Sequence, residues 1–310
     1  MTFKHLTSLL ITILLVLIGF YYILVQKKSF VCNKPLVVCT TTIIADAIKN
    51  IATNTINLKI LMGPGVDPHT YKPVEQDIIM ISNAQIIFYH GLHLEACMAD
   101  IFTHMSPNKT TIAVTADIAK EKLIYSSEFD HYADPHVWFE PELWILAVQT
   151  ITKHLQKFAP QYYDLYENNK NTYIQKILKT YDQTKNLMSK IPKSQRILIT
   201  GHDAFSYFAR AYDCKVISLQ GISTASEAGT GDLLNLINFI VHHKIKTIFP
   251  ESCMPTRSMQ ALIQGAQSFG CNVQLGHELF SDSLGSPGSM QESYCDMLSY
   301  NVQSLSLGLL

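Results

Sequence analysis

The 310-residue sequence predicts an α/β fold of two lobes, each a mostly parallel sheet covered by helices, joined by one long rigid connecting helix. Three observations predict it. Short β-branched runs alternate with longer amphipathic ones, the pattern of strands crossed over by helices. One stretch breaks the alternation with purely helical spacing, and the alternation then resumes. A chain of this length is also too long for one small core and suits about two domains.

In order along the chain, residues 36–40 read as a buried strand and 42–52 as a helix opening on a run of threonines suited to N-capping. Residues 58–62 read as a strand, 73–83 as a helix, 86–89 as a strand, 94–104 as a helix and 111–114 as a strand. Pro141 suits the first turn of a helix running toward Ala159. Between Gln161 and Lys190 there is no glycine, no proline and no β-run. Leu165, Tyr166, Tyr173, Ile177, Tyr181, Leu187 and Met188 recur there at helical spacing, and Pro192 ends the segment. A helix of that size reaches about 45 Å, enough to run the length of a lobe pair. Strands follow at 196–200, 216–219, 247–249 and 273–275, and helices at 204–212, 232–243, 257–269 and from Met290 onward. The expected division is a leader over 1–32, an N-terminal lobe over 33–160, the connecting helix over 161–191 and a C-terminal lobe over 192–310.

Composition narrows the function. The net charge is −1 and charged residues make up only 16% of the chain, so no basic stripe offers itself to nucleic acid. From Leu6 to Val25 no residue is charged, and Lys27 and Lys28 end the run. Twenty helical residues span about 30 Å, the thickness of a bilayer core. A processed signal peptide and a retained N-terminal anchor both fit; Cys32 stands where a lipoprotein cysteine would, but Phe30 and Val31 spoil the small-residue pattern before it. Either reading sends the chain to a membrane and beyond it. The seven cysteines, at 32, 39, 97, 214, 253, 271 and 295, show no C-x-x-C pair. They read as buried thiols, with a single disulfide in the C-terminal half left open.

Three histidines stand after strands or in tight loops, each beside an aspartate: Asp67-Pro68-His69, Asp134-Pro135-His136 and His202-Asp203. Loops beyond strand C-termini line the ligand crevice of open α/β sheets. A lone loop histidine reads as a solvated or hydrogen-bonded side chain. Proline before two of them stiffens the loops and lowers the entropy lost in holding a ligand. The aspartates suit the second ring N–H of a metal-bound imidazole. A metal site and a set of structural histidines both remain open on these residues alone.

The sequence resembles the zinc/manganese substrate-binding proteins of ABC-type metal importers, the TroA-like family, over nearly all of residues 36–305. The likeness is carried by Leu61-Met62-Gly63-Pro64-Gly65-Val66-Asp67-Pro68-His69, Tyr89-His90-Gly91-Leu92-His93-Leu94-Glu95 and Asp134-Pro135-His136-Val137-Trp138-Phe139. It continues through His202-Asp203-Ala204-Phe205, Gln220-Gly221-Ile222-Ser223-Thr224 and Glu278-Leu279-Phe280-Ser281-Asp282. The resemblance implies two ligands from each lobe: His69 and His136 from the first, His202 and Asp282 from the second. It implies one divalent cation as cargo (Zn²⁺ or Mn²⁺, with Fe²⁺ also accommodated), modest closure about a rigid helix, and a separate membrane permease and ATPase as partners. It also implies an extracytoplasmic, periplasmic or membrane-anchored location, and a monomer is expected. Two departures stand out: there is no long His/Asp-rich loop between the first two ligand motifs, and some manganese-binding members carry Glu where His202 stands.

His90 and His93 read as structural and His242 and His243 as a solvated helix face; His131, near the second motif, reads first as no ligand, with an auxiliary or capture role as the lesser alternative. Glu227 and Glu251 read as supporting carboxylates, with Glu251, after a strand, the better placed. Two rivals are a metal-dependent hydrolase and a surface adhesin with a structural metal. The first lacks H-E-x-x-H, and no G-x-S-x-G elbow serves a serine hydrolase. The chain also lacks G-x-x-x-x-G-K-[ST], so ATP hydrolysis belongs to another chain.

Overall fold

The computed structural model describes residues 12–18, 34–105, 109–125 and 132–310. The chain divides into two units, Met1–Pro35 and Leu36–Leu310. In the first, residues 12–18 are helical (α1); the expected signal or anchor otherwise lies outside the described residues. No helix among the described residues is long and apolar enough to cross a membrane.

The second unit begins with a four-stranded parallel sheet in the order β2-β1-β3-β4, built from β1 (Leu36–Cys39), β2 (Asn57–Ile60), β3 (Ile86–Tyr89) and β4 (Thr110–Ala113). The inner strands are apolar on both faces because both faces are covered. Val37, Cys39, Ile86 and Phe88 face the large core shared with the helices, whereas Val38 and Ile87 pack on the other side against Met62, Ile81, Met98 and Phe102. Helix α2 (Thr42–Ala52) starts where expected, with the Thr41 hydroxyl accepting from the Ile44 amide. Helix α3 (Glu75–Asn83) starts two residues later than expected, where Asp77 accepts from the Val74 amide.

The segment 94–104 is a correction. A 3₁₀ turn over Ala96–Met98 precedes a shorter helix α4 (Ala99–Met105). Leu92 and His93 have positive φ of 51° and 62°, and the Glu95 carboxylate reaches back to the amides of His90 and Gly91. The chain is thus folded back on itself where an α-turn would begin.

Pro141 opens helix α5 (Pro141–Phe158), and α6 (Tyr163–Ser189) is the long connecting helix, 27 residues or about 40 Å. It packs on α2, α5 and the C-terminal helix α10 (Tyr294–Leu309). At one end Tyr166 bonds Thr55, Asn169 bonds the Ile51 carbonyl and Tyr173 donates to Asp46; at the other, Thr184 meets the Tyr212 hydroxyl and Tyr181 donates to the Ala211 carbonyl. These bonds make α6 a strut tied to both halves of the unit. Helix α10 begins at Tyr294 rather than Met290 because Ser293 caps it, accepting from the Asp296 amide.

The C-terminal half holds β5 (Ile197–His202) paired in parallel with β6 (Lys215–Gln220), and β7 (Thr247–Ile248) paired in parallel with β8 (Gln274–Leu275). The two pairs are joined through the Phe249 amide, which donates to the Ile199 carbonyl. Pro250 has no amide to extend β7. Helices α7 (Ser206–Tyr212), α8 (Thr230–His243) and α9 (Arg257–Ser268) cover the strands. One apolar core runs through both halves, from Ile48 and Phe88 through Trp138, Phe139 and Trp144 to Phe208, Tyr294 and Leu298.

Asp46 is buried and takes its bonds from Tyr173 and the Tyr294 amide. Tyr173→Phe therefore leaves a buried carboxylate short of a donor and is expected to lower stability by about 1–3 kcal/mol in urea unfolding of the metal-free protein.

Candidate metal centre

Four side chains from four separate segments meet at one buried point. Loop 61–74, after β2, turns at Gly65 (φ +74°) and brings in His69. Asp67 sets that loop, accepting from the His69 amide and the Thr70 hydroxyl. Asp134 sets the second loop, taking both the His136 amide (2.8 Å) and Nδ1 (2.7 Å) on one oxygen. His202 ends β5, with Glu251 accepting from the amides of Gly201 and His202 and placing its other oxygen 2.7 Å from His202 Nδ1. Asp282 follows the bridge between Glu251 and Leu279. It is flanked by the Ser281 carbonyl, which accepts from Trp138 Nε1 at 2.9 Å, and by the Leu284 amide, which donates to Thr42.

His69, His136, His202 and Asp282 each offer an atom within 4.8 Å of the others. Nε2 of His136 is 3.3 Å from Nε2 of His69 and 3.3 Å from one Asp282 oxygen; Nε2 of His202 is 3.3 Å from the other. His69 Nε2 stands 3.9 Å from Asp282. Metal bonds of about 2.0–2.1 Å at tetrahedral angles place ligand atoms about 3.3 Å apart. Three of the contacts match that spacing, and they engage both Asp282 oxygens, one facing His136 and the other facing His202. Both Asp282 oxygens and His202 Nε2 are buried without an aligned hydrogen-bond partner, an arrangement that is costly unless a cation satisfies it.

The electrostatics follow. Burial pulls His69 down to about 4 despite Asp282 nearby. Burial also opposes charge on His136, but Asp134 and Asp282 outweigh it and push it up to about 9. His202 is also raised well above the ordinary imidazole range, burial again being overcome by Glu251 and Asp282. Burial alone would raise Asp282, yet His202 and His136 hold it well below the usual carboxylate range.

Of the three neighbouring aspartates, only Asp134 bonds an imidazole ring. Asp67 holds backbone and Thr224, and Asp203 accepts from Ser206; the partner of His202 is Glu251. Glu227 lies exposed and makes no contact with the four donors, and His242 and His243 are exposed at the end of α8. His90 is buried and donates from Nε2 to the Pro135 carbonyl at 2.6 Å, steadying the His136 loop. Burial takes it down to about 3. His93 is exposed, and His131 lies outside the described residues. Six cysteines are free thiols, so among the described residues no disulfide forms. Sequence reasoning missed Ser283, which accepts from the Gly65 amide, and the reach of Trp138 to Ser281; nothing in the pattern of either residue signals a contact to a distant loop.

The chain is 38% identical to the zinc-binding protein TroA of Treponema pallidum over 295 residues, 94% of each chain. It is 37% identical to the manganese-binding lipoprotein MntA of Bacillus subtilis over 273 residues, 88% of this chain and 89% of that one. The solved structure of the periplasmic zinc-binding protein TroA from Treponema pallidum superposes with a TM-score of 0.87 at 39% identity, covering 89% of this chain and 99% of that one. Residues 37–308 match the family described as zinc-uptake complex component A, periplasmic. The chain belongs to that family, the ZnuA family of metal-binding components to which its sequence motifs pointed.

Proposed function

We propose that this protein is the extracytoplasmic receptor of an ABC-type importer, capturing one divalent transition-metal ion and delivering it to a membrane permease. The observation that carries this reading is the buried set of three imidazole nitrogens and one carboxylate converging within 4.8 Å. His69 and His136 supply two ligands from the lobe over 33–160, His202 and Asp282 two from the lobe over 192–310, with the helix over 161–191 between them. Imidazoles and one carboxylate suit Zn²⁺, and Mn²⁺ and Fe²⁺ are also accommodated, with zinc bound more tightly in vitro by the Irving–Williams order. Three imidazoles and a carboxylate with both oxygens turned inward surround an ion with strong protein donors, where a catalytic zinc keeps a position for water, and this favours capture over hydrolysis. The receptor works as a monomer on the outer side of a bacterial membrane, its leader over 1–32 either processed or retained as an anchor. The permease and the ATPase are separate chains.

Metal content of the purified protein tests the reading directly. One Zn or Mn per chain is expected, and His136→Ala and Asp282→Ala are each expected to lose the ion or hold it far more weakly. Metal retained by both variants would show that these residues are scaffold.

Glu251→Gln keeps a carbonyl for the two backbone amides and removes the charge facing His202. It is expected to lower metal affinity about 10–100-fold, whereas Glu227→Gln leaves affinity unchanged; competition with a chromophoric chelator measures both.

Affinity is also expected to depend on pH. Bound imidazoles must be neutral, and His136 and His202 are the two whose protons are held most firmly, His136 pushed up to about 9 and His202 raised well above the ordinary imidazole range. His69, drawn down to about 4, is already neutral near pH 7. Affinity should therefore climb with pH through 6, 7 and 8, by about tenfold per unit for each proton displaced. Equal affinities at pH 6 and 8 would contradict a site that releases protons as it loads.

A further inference from the structure

A cavity of about 260 Å³ opens onto the metal centre from outside. Of the four donors, only His69 forms part of its wall; His136, His202 and Asp282 lie behind it, with no more than 1% of their surface exposed. An ion using this route meets His69 first. The remaining walls are mostly apolar, Leu92 and Ile222 among them, so a hydrated dication finds few partners there. The polar groups on the way are His93, the Tyr132 side chain and Ser223. His93 is exposed, its ring set edge-on against Tyr132 with centroids 4.1 Å apart.

The backbone adds a second, independent observation. Gly91, Leu92 and His93 all have positive φ (90°, 51° and 62°), and Leu92 is a bulky residue that rarely adopts it. Such strain persists only where the surroundings enforce it, and it gathers at ligand clamps and active sites. Here Glu95 enforces it, its carboxylate fixed by the Thr40 hydroxyl and by the amides of His90 and Gly91. The effect is to lift an imidazole onto the rim of the cavity rather than into the start of α4.

We infer that His93 is an entry ligand, a transient outer station that binds the incoming divalent cation and passes it to His69. This rests on the cargo reading above. The step is a ligand exchange: the His93 imidazole displaces one water from the hydrated ion, and His69 then displaces His93 as the ion moves inward. Removing water one molecule at a time lowers the barrier of crossing an apolar wall, since hydrated ions give up their shell reluctantly. A station on the path, absent from the final site, speeds entry and exit equally and leaves the equilibrium untouched.

The test uses the full protein with Zn²⁺ alone, following association by stopped flow with an indicator dye and dissociation into excess chelator. His93→Asn and His93→Gly both tolerate a positive φ, so the loop is kept, and unchanged metal stoichiometry in the variants confirms it. Both are expected to slow association and dissociation severalfold by the same factor, with Kd unchanged, while His242→Asn alters neither rate. Unchanged rates in both His93 variants would overturn the entry role. A Kd weakened through dissociation alone would overturn it too, making His93 a prop for the final site. A wild-type protein that binds no Zn²⁺ would instead sink the cargo reading, and this inference with it.

Discussion

Asp282 carries a carboxylate held out of water, and among the described residues its ionic partners are His69, His136 and His202 rather than a lysine or arginine. A buried charge without compensation costs several kcal/mol. Asp134 and Glu251, also buried, stand directly behind two of the imidazoles. Three carboxylates thus surround the cluster, and protons on His136 and His202 balance part of that charge in the metal-free protein. A dication that displaces those two protons leaves the total charge of the cluster unchanged. Loading therefore does not add an uncompensated charge to the interior, and the same residues that bind the ion keep the empty fold tolerable.

The scaffold is arranged around that constraint. The loops carrying His136 and Asp282 are joined by buried bonds across the two halves: Trp138 to the Ser281 carbonyl, Tyr207 to the Asp134 carbonyl, and the Leu284 amide to Thr42. Tyr294 completes the frame by donating to the Trp138 carbonyl. Helix α6 spans both halves along its length, and the apolar core is continuous across them. Loop 61–74 is held to the far side by partly buried bonds instead, Asp67 to Thr224 and Gly65 to Ser283. Among the four donors, His69 has the longer contact to Asp282 and the looser attachment.

Much of this was readable from the residues. The threonine run before α2, the proline at the head of α5 and the uninterrupted helical spacing of α6 are local signals, and local hydrogen bonding and packing decide those elements. The donor atoms His69, His136 and His202 announced themselves by proline or aspartate neighbours, but Asp282 entered only through the family motif, because an aspartate in a loop has no distinguishing pattern. The pairing of imidazoles with carboxylates was legible in part. Asp134 lies two residues from its histidine, within reach of an Asx-type turn, whereas Glu251 lies just beyond β7, in the bridge to Leu279, and its contact with His202 depends on how β5 and β7 are placed side by side. The break before α4 was hidden for the same reason: Glu95 is a good helix former, and only the tertiary position of the His90 and Gly91 amides turns its side chain backward.

The rigid frame determines how small a motion suffices to free the ion. Metal bonds tolerate departures of about 0.2 Å from their preferred lengths, and three of the inter-donor spacings already sit at 3.3 Å. Moving one donor by about an ångström therefore breaks the set without any wide opening of the halves. The donor whose loop meets the far half through the partly buried bonds Asp67–Thr224 and Gly65–Ser283 is His69, and it is also the one on the cavity wall. Displacing it opens the donor set toward that cavity, while His136, His202 and Asp282 keep their frame. A receptor built around a strut can thus exchange its cargo by shifting one loop, and the fold has no need of a hinge.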